Sequence, residues 1–429
     1  MTQILELEKP HKTPSRVLLQ VAVSALVLLS LLDTSGAILH LKEPVFATIF
    51  LIWIYRQMIP SRRIDQERRR KLPRYIWIVA LGVAVVVPFI STTIGLLTSD
   101  LHSGEAPLGV MKSFLFFSIV LVLISEEIDL ISYIVKLSPA LAMVTIGLVV
   151  LSLFSPELFL GLSLFIADKK NGVFWPGRNL LGLGIGEFYY GALPIMIFPF
   201  SYYFDRATQY GIRKLSSVLM CSLFSVALIL SGARADILAA LSIALILTMR
   251  KVRRVSGLVP ALTLGAIVAV IAAATVLPNF TDMQEGSNAI KLKHIHSYKQ
   301  EFESKPAVLL FGEGANSAFY SEGFESWTIL TEVTYLELVR VYGLPMTILF
   351  AAGLMWIGYR LFASGLFTMA LAYFAFLGIA GTNPLIVSST GFLAIAAMYE
   401  LVVTRTDSFR QQHATFKLWG QALPGSRGV

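Results

Sequence analysis

Residues 215–250 read LSSVLMCSLFSVALILSGARADILAALSIALILTMR. Two apolar runs, 215–232 and 235–249, are separated by only a few residues, and neither alternates like a strand nor carries the polar face of a soluble helix. Such a pair belongs in a hydrocarbon layer, where ~20 helical residues cross a core of ~30 Å.

The rest of the 429-residue chain repeats the pattern, with 55% hydrophobic and 14% charged residues and a mean hydropathy of +0.71. A soluble globule is excluded by that balance. About twelve runs are long enough to span, near 17–32, 44–58, 75–97, 109–125, 137–155, 186–204, 215–232, 235–249, 257–277, 333–359, 362–380 and 385–403. The expected fold is all-α and polytopic, with about twelve transmembrane helices and both termini cytoplasmic. Orientation follows from basic clusters before the first run, at 62–71, at Arg206, Arg213 and Lys214, at 250–254 and from Arg405 onward, all on one side of a twelve-span layout. Roughly 24 basic residues then lie inside and roughly 11 outside. The net charge of +8 is an insertion signal and a contact for anionic lipid heads, so nucleic acid is not an expected partner.

Four regions follow: spans and short loops over 1–277, with an irregular outer segment at 156–185; a polar outer loop, 278–331; the last three spans, 332–404; and a cytoplasmic tail, 405–429. The single cysteine, Cys221, lies inside an apolar run, so no intramolecular disulfide forms. The first run reads as an uncleaved anchor. In the outer loop, helix is expected around 288–304, followed by Pro306 and a turn from Gly312 to Gly314. Seven acids against four lysines make the loop unsuited to an anionic partner. Phe311, Phe319, Tyr320, Phe324 and Trp327 could stack on sugar faces or anchor the loop at headgroup level. His294 and His296 read as solvated loop histidines.

Three arginines break the charge rule. Arg178, Arg234 and Arg340 stand at outer ends of apolar segments, opposite the basic clusters, and a guanidinium fork suits phosphate oxygens. Arg234 opens a run of about fifteen residues, ~22 Å of helix, whose start would sit below the outer surface in a water-lined hollow. Asp236 in its first turn would cap that helix or fix the guanidinium. Glu337 and Arg340 are one helical turn apart and can pair, with Glu332 two turns above. Arg178 lies in WPGRNLLGLGIGEFYY, where glycines let backbone approach a ligand. Plainer alternatives are interfacial snorkelling for Arg178 and Arg234 and an intrahelical ion pair for Arg340.

SGARAD opening a span, together with LLFGEGANSAFYSEGF and TEVTYLELVRVYGL after one large outer loop, resembles the Wzy-type O-antigen and exopolysaccharide polymerases. Those polymerases and the O-antigen ligases belong to one C-type glycosyltransferase superfamily. The resemblance implies a bacterial inner-membrane enzyme that joins undecaprenyl-diphosphate-linked oligosaccharides at the periplasmic face. It also implies a chain-length regulator as a partner. The ligases commonly carry a histidine just ahead of the tyrosine-leucine pair that here reads Tyr335 and Leu336; this chain has Glu332 and Thr334 there, which favours a polymerase.

Displacing a lipid diphosphate from a sugar C1 requires stabilising the leaving charge and removing the acceptor proton. Arg234 and Arg340, supported by Arg178, are the candidates for the first task, and Glu332 for the second, with Glu337 or Asp236 next. Tyr335 completes the candidate substrate contacts. Neither cofactor nor metal is expected: no Walker sequence and no metal-ligand spacing stands out. A ligase of the same superfamily, or a carrier or flippase for lipid-linked oligosaccharides, are the alternatives, the carrier favoured by a helix break at Asn383 and Pro384.

Overall fold

The computed structural model describes residues 13–58, 72–98, 108–169, 171–179, 186–252, 286–315 and 317–421. The run expected at 257–277 and the arginine-rich stretch 62–71 lie outside them. Among the described residues the chain is overwhelmingly helical, with sheet confined to two antiparallel hairpins. Four helices are long and apolar enough to cross a membrane: Pro14–Leu32, Arg74–Leu97, Leu130–Phe154 and Thr334–Ala363. Side chains such as Phe154, Leu97 and Met58, 84%, 81% and 77% exposed, would be costly in water and are at home against lipid.

In chain order, α1 (Pro14–Leu32) packs on α2 (Lys42–Met58). Helix α3 (Arg74–Leu81) passes through a π-helical stretch, Gly82–Val86, into α4 (Val87–Thr98). Then come α5 (Leu108–Leu115), a 3-10 turn, α6 (Ile119–Ser125) and α7 (Leu130–Phe154), whose N-cap Asp129 accepts the Ser132 N–H at 3.2 Å. The segment 156–185 is not irregular throughout. Pro156 at the first position starts α8 (Pro156–Asp168), and β1 (Gly172–Asn179) pairs with β2 (Gly186–Tyr190). The span expected at 186–204 therefore begins as a strand: FYY favours an extended backbone, and helix starts only with α9 (Ile197–Tyr210). Next are α10 (Leu215–Leu230) and α11 (Arg234–Val252), the two runs of the turn at Gly232, where φ is +66°. Helix α11 has 19 residues, ~28 Å, and is longer than its apolar run because Arg250 and Lys251 extend it.

The outer loop folds as α12 (Gly286–Ser304), α13 (Ala307–Phe311) and a hairpin of β3 (Phe319–Ser321) with β4 (Ser326–Thr328). It leads into α14 (Thr334–Ala363), which breaks at Gly343, with φ +75° and ψ 160°. Pro345 has no N–H to bond back to the preceding turn, and the break falls two residues before it, at a glycine free to take a positive φ. Helices α15 (Phe367–Ala380) and α16 (Ser389–Gln421) complete the bundle. From Ser389 to Val403 every residue of α16 is buried, as expected of a helix apolar on all sides at the centre of a bundle. Helix α16 continues without interruption past 404 to Gln421.

Candidate functional site

The loop between α12 and α14 is a folded cap, joined to the bundle by backbone. Around Gly312 and Gly314, with φ of +74° and +82°, the Glu313 N–H donates to the Arg340 carbonyl at 2.7 Å. Gly314 N–H donates to Val341 at 3.0 Å, and Ala315 N–H to both the carbonyl and Oγ of Ser91 at 3.0 and 2.9 Å. A Cβ on Gly314 would run into Gly95 and Ser91, and one on Gly343 would sit 2.5 Å from the Leu310 carbonyl. The glycines of LLFGEGA and VYGL are thus required by close backbone approach.

Arg340 lies under this joint with its side chain fully buried. Its Nε donates to Glu337 Oε2 at 3.2 Å, and Nη2 to Glu337 Oε1 at 2.7 Å and to the Ile329 carbonyl at 3.2 Å. Its Nη1 donates to Glu313 Oε2 at 2.9 Å and to Ser317 Oγ at 2.7 Å, and the Phe319 ring lies 4.5 Å below. All five donors of the guanidinium are occupied by protein. The pairing expected between Glu337 and Arg340 is present, within a larger network: Tyr298 donates to Glu337 at 2.6 Å, and Lys305 bridges Glu301 and Glu313 at 2.6 and 2.9 Å. Phe319 is core, packed on Tyr298, and is not available to stack on a sugar. Tyr320, Phe324 and Trp327 remain exposed.

Asp236 is the opposite case. It is 0% exposed, yet neither carboxylate oxygen has a hydrogen-bond partner among the described residues. It neither caps α11 nor grips Arg234. Positions two apart on a helix point about 200° away from each other, so Asp236 turns inward while Arg234, at the helix start, stays half-buried. The Tyr189 hydroxyl on β2 is likewise buried without a partner. Burial pushes the Tyr189 phenol well above its ordinary value, and the charges of Asp236 and Glu332 push it further. Glu332 itself is half-buried and precedes the helix, which begins at Thr334.

The remaining candidates are placed as follows. Tyr335 donates to the Leu377 carbonyl at 2.9 Å, and its ring fills the space where Gly381 would carry a Cβ. Arg178 falls on β1; its side chain lies outside the described residues. His296 pairs with Glu322 at 2.9 Å, but His294 is buried, its Nδ1 2.7 Å from Ser321 Oγ, because Gly323 leaves room for the ring. Asn383 and Pro384 lie in the short non-helical turn between α15 and α16, where the Asn383 carbonyl accepts from Thr334 at 2.7 Å.

Two further knots have no signature in the sequence. Buried Lys42 donates to the Thr34 carbonyl and Thr390 Oγ1 at 3.0 and 2.9 Å, while Asn171 binds Asp33 and Thr34. At the opposite end Arg56 and Glu126 form a buried fork of 3.1 and 2.9 Å. Only the i to i+3 spacing of Glu337 and Arg340 is readable along the chain; these other partners are many residues apart.

An apolar cavity of about 200 Å3 runs between α3–α4, α5, α14 and α16. Val83 of the π-helical stretch, Phe114, Leu338, Tyr342, Phe350 and Phe392 are among its walls. Its Leu338 and Tyr342 edge lies within a turn of the Glu337–Arg340 pair. Compared with protein-family models, with curated proteins and with solved structures, the chain gives no match in any of the three.

Proposed function

We propose that the protein is a polysaccharide polymerase of the inner bacterial membrane, acting on undecaprenyl-diphosphate-linked oligosaccharides at the periplasmic face. The layout in this reading is twelve spans with both termini cytoplasmic and the cap outside. The observation that carries it is an apolar cavity able to take part of a lipid chain, whose Leu338 and Tyr342 edge lies within a turn of the buried Glu337–Arg340 pair beneath the cap.

The growing chain is transferred from its lipid diphosphate to a hydroxyl of the incoming unit. Arg234, half-buried at the start of α11, faces the leaving diphosphate in this assignment; the unpaired N–H groups of a helix start add to the attraction. Arg178 on β1 assists in this assignment. Arg340 holds the cap and Glu337 in place and acts through them, since its donors are already engaged. Tyr335 fixes the start of α14 against α15. Neither metal nor nucleotide takes part, because the lipid diphosphate is itself the activated donor. A chain-length regulator is a further partner of this reading.

Purified protein in vesicles with lipid-linked repeat units should yield longer chains, and Arg234→Ala should lower that rate about a hundredfold, the usual cost of one pre-placed charge. Transfer to a lipid A-type acceptor without extension would establish the ligase instead. Movement of lipid-linked units between leaflets without extension would establish a flippase. The buried carboxylates of Asp236 and Glu400 are the observation that favours this second reading, because intramembrane acids often serve transport.

A further inference from the structure

At the end of α14 away from the cap, the last turns of α9 and α11 meet the turn that leads into α15. Asp205 of α9 accepts from the Thr368 hydroxyl at 3.1 Å, and the Arg250 guanidinium, near the end of α11, lies 4.4 Å over the ring of Phe367, the first residue of α15. Phe367 packs on Phe362 of α14 with ring centroids 5.7 Å apart, and Arg360 lies 5.9 Å over Trp356 of the same helix. Arg250 is exposed and rests on a ring face, which leaves the edge of its fork open to an outside acceptor. Helix α15 begins there without a capping side chain or an acid in its first turn, so its N–H groups add to the attraction for an anion.

Beside these cations runs an open apolar hollow of about 510 Å3, lined by Ala352, Met355, Trp356, Tyr359 and Phe362 of α14 and Phe374 of α15. From Ala352 to Phe362 it follows the helix for ~15 Å. Met355, Trp356, Tyr359 and Phe362 stand about half exposed along it. Hollow and cations share walls: Trp356 carries Arg360, and Phe362 packs on the ring that carries Arg250. Charge at the helix end with an apolar wall towards the middle of the span matches a phospholipid in a bilayer leaflet. Inorganic phosphate would leave the hollow empty, and a zwitterionic lipid would gain little from the arginines.

We propose that this face binds one anionic bilayer phospholipid, its phosphate held by Arg250 and Arg360 and one acyl chain laid along the hollow from Phe362 towards Ala352. The site does not depend on the polymerase reading, which places its lipid diphosphate at the cap, the other end of the 30-residue α14.

Native mass spectrometry of the full-length protein, in micelles holding equal amounts of dioleoyl phosphatidylglycerol and dioleoyl phosphatidylcholine, tests it. Wild type should retain one phosphatidylglycerol with a preference of about ten- to thirtyfold, the factor for two cations near an anionic headgroup. Combining Arg250→Gln with Arg360→Gln should lower that preference below about threefold. Ala352→Trp fills the hollow from its exposed side and should weaken phosphatidylglycerol retention with every charge in place. Lys299→Gln, an exposed cation of the cap, should change nothing. Equal retention of both lipids by wild type overturns the proposal without any variant, since arginines that only orient insertion give that result. A preference that survives the double substitution overturns the headgroup assignment, and retention indifferent to Ala352→Trp overturns the chain assignment. Displacement by inorganic phosphate, or by a polyprenyl monophosphate at equal concentration, overturns the bilayer phospholipid as occupant. Thermal midpoints in phosphatidylcholine micelles that match wild type tie each loss to the site and not to the fold.

Discussion

Arg340 and Asp236 are both ionisable and both fully buried, yet they differ in what surrounds them. Around Arg340 every donor meets an oxygen, and the partners are themselves tied down by Tyr298 and Lys305. None of the described residues donates to Asp236. Burial alone therefore says little about role. A saturated charge holds neighbouring segments together, whereas an unsatisfied one contributes no such tie.

The largest effect should come from breaking the saturated side. Arg340→Ala strands Glu337 without its cation and leaves Glu313 with Lys305 alone, at a cost of about 3–5 kcal/mol, read as a lowered thermal midpoint in detergent and faster proteolysis of the cap. An unchanged midpoint would place the hub outside the cooperative fold. On the unsatisfied side, Asp236→Asn should leave the thermal midpoint at or above wild type, so that the two buried groups respond in opposite directions.

Intermediate effects should come from the joint between the two. Gly343→Ala places a Cβ at φ +75° against the Leu310 carbonyl and should cost about 1–3 kcal/mol, loosening the cap without removing any charge. Hydrogen exchange confined to 307–321 would locate the change there.

The smallest effect is the pH response of the cap. Burial lowers the His294 value below the ordinary 6.5, assisted by Lys291, so its contribution is present above 6.5 and lost as pH falls through the lowered value. Glu313 is pushed upward by burial, but hydrogen bonds with Glu301, Lys305 and Arg340 prevail and hold it below 4.5. Its contribution is present above 4.5 and lost as pH falls through the lowered value. Acid should therefore open the cap in two stages, followed by proteolysis across pH. His294→Phe should flatten the earlier stage only.

Several parts of this arrangement are readable along the chain. The apolar runs at 215–232 and 235–249 become α10 and α11, the helix expected at 288–304 becomes α12, and Gly312 to Gly314 form the expected turn. Periodicity and glycine carry those signals because both act locally. The hairpin hidden in 172–190 was obscured because FYYGALPIMIF continues an apolar run without interruption, and hydropathy does not distinguish a strand from a helix start. The inward turn of Asp236 was missed because proximity to Arg234 in sequence suggested a pair that helical geometry forbids.

By itself, the sequence determined that this is a helical membrane protein, which segments are apolar, and where glycine and proline interrupt them. Those properties depend on residues within a few positions of one another. Only the tertiary structure decided that Arg340 is enclosed by Glu313, Ser317, Ile329 and Glu337, and that Asp236 is buried with no donor to its oxygens among the described residues. The acceptors around Arg340 come from as many as 27 positions away, and only folding brings them within reach.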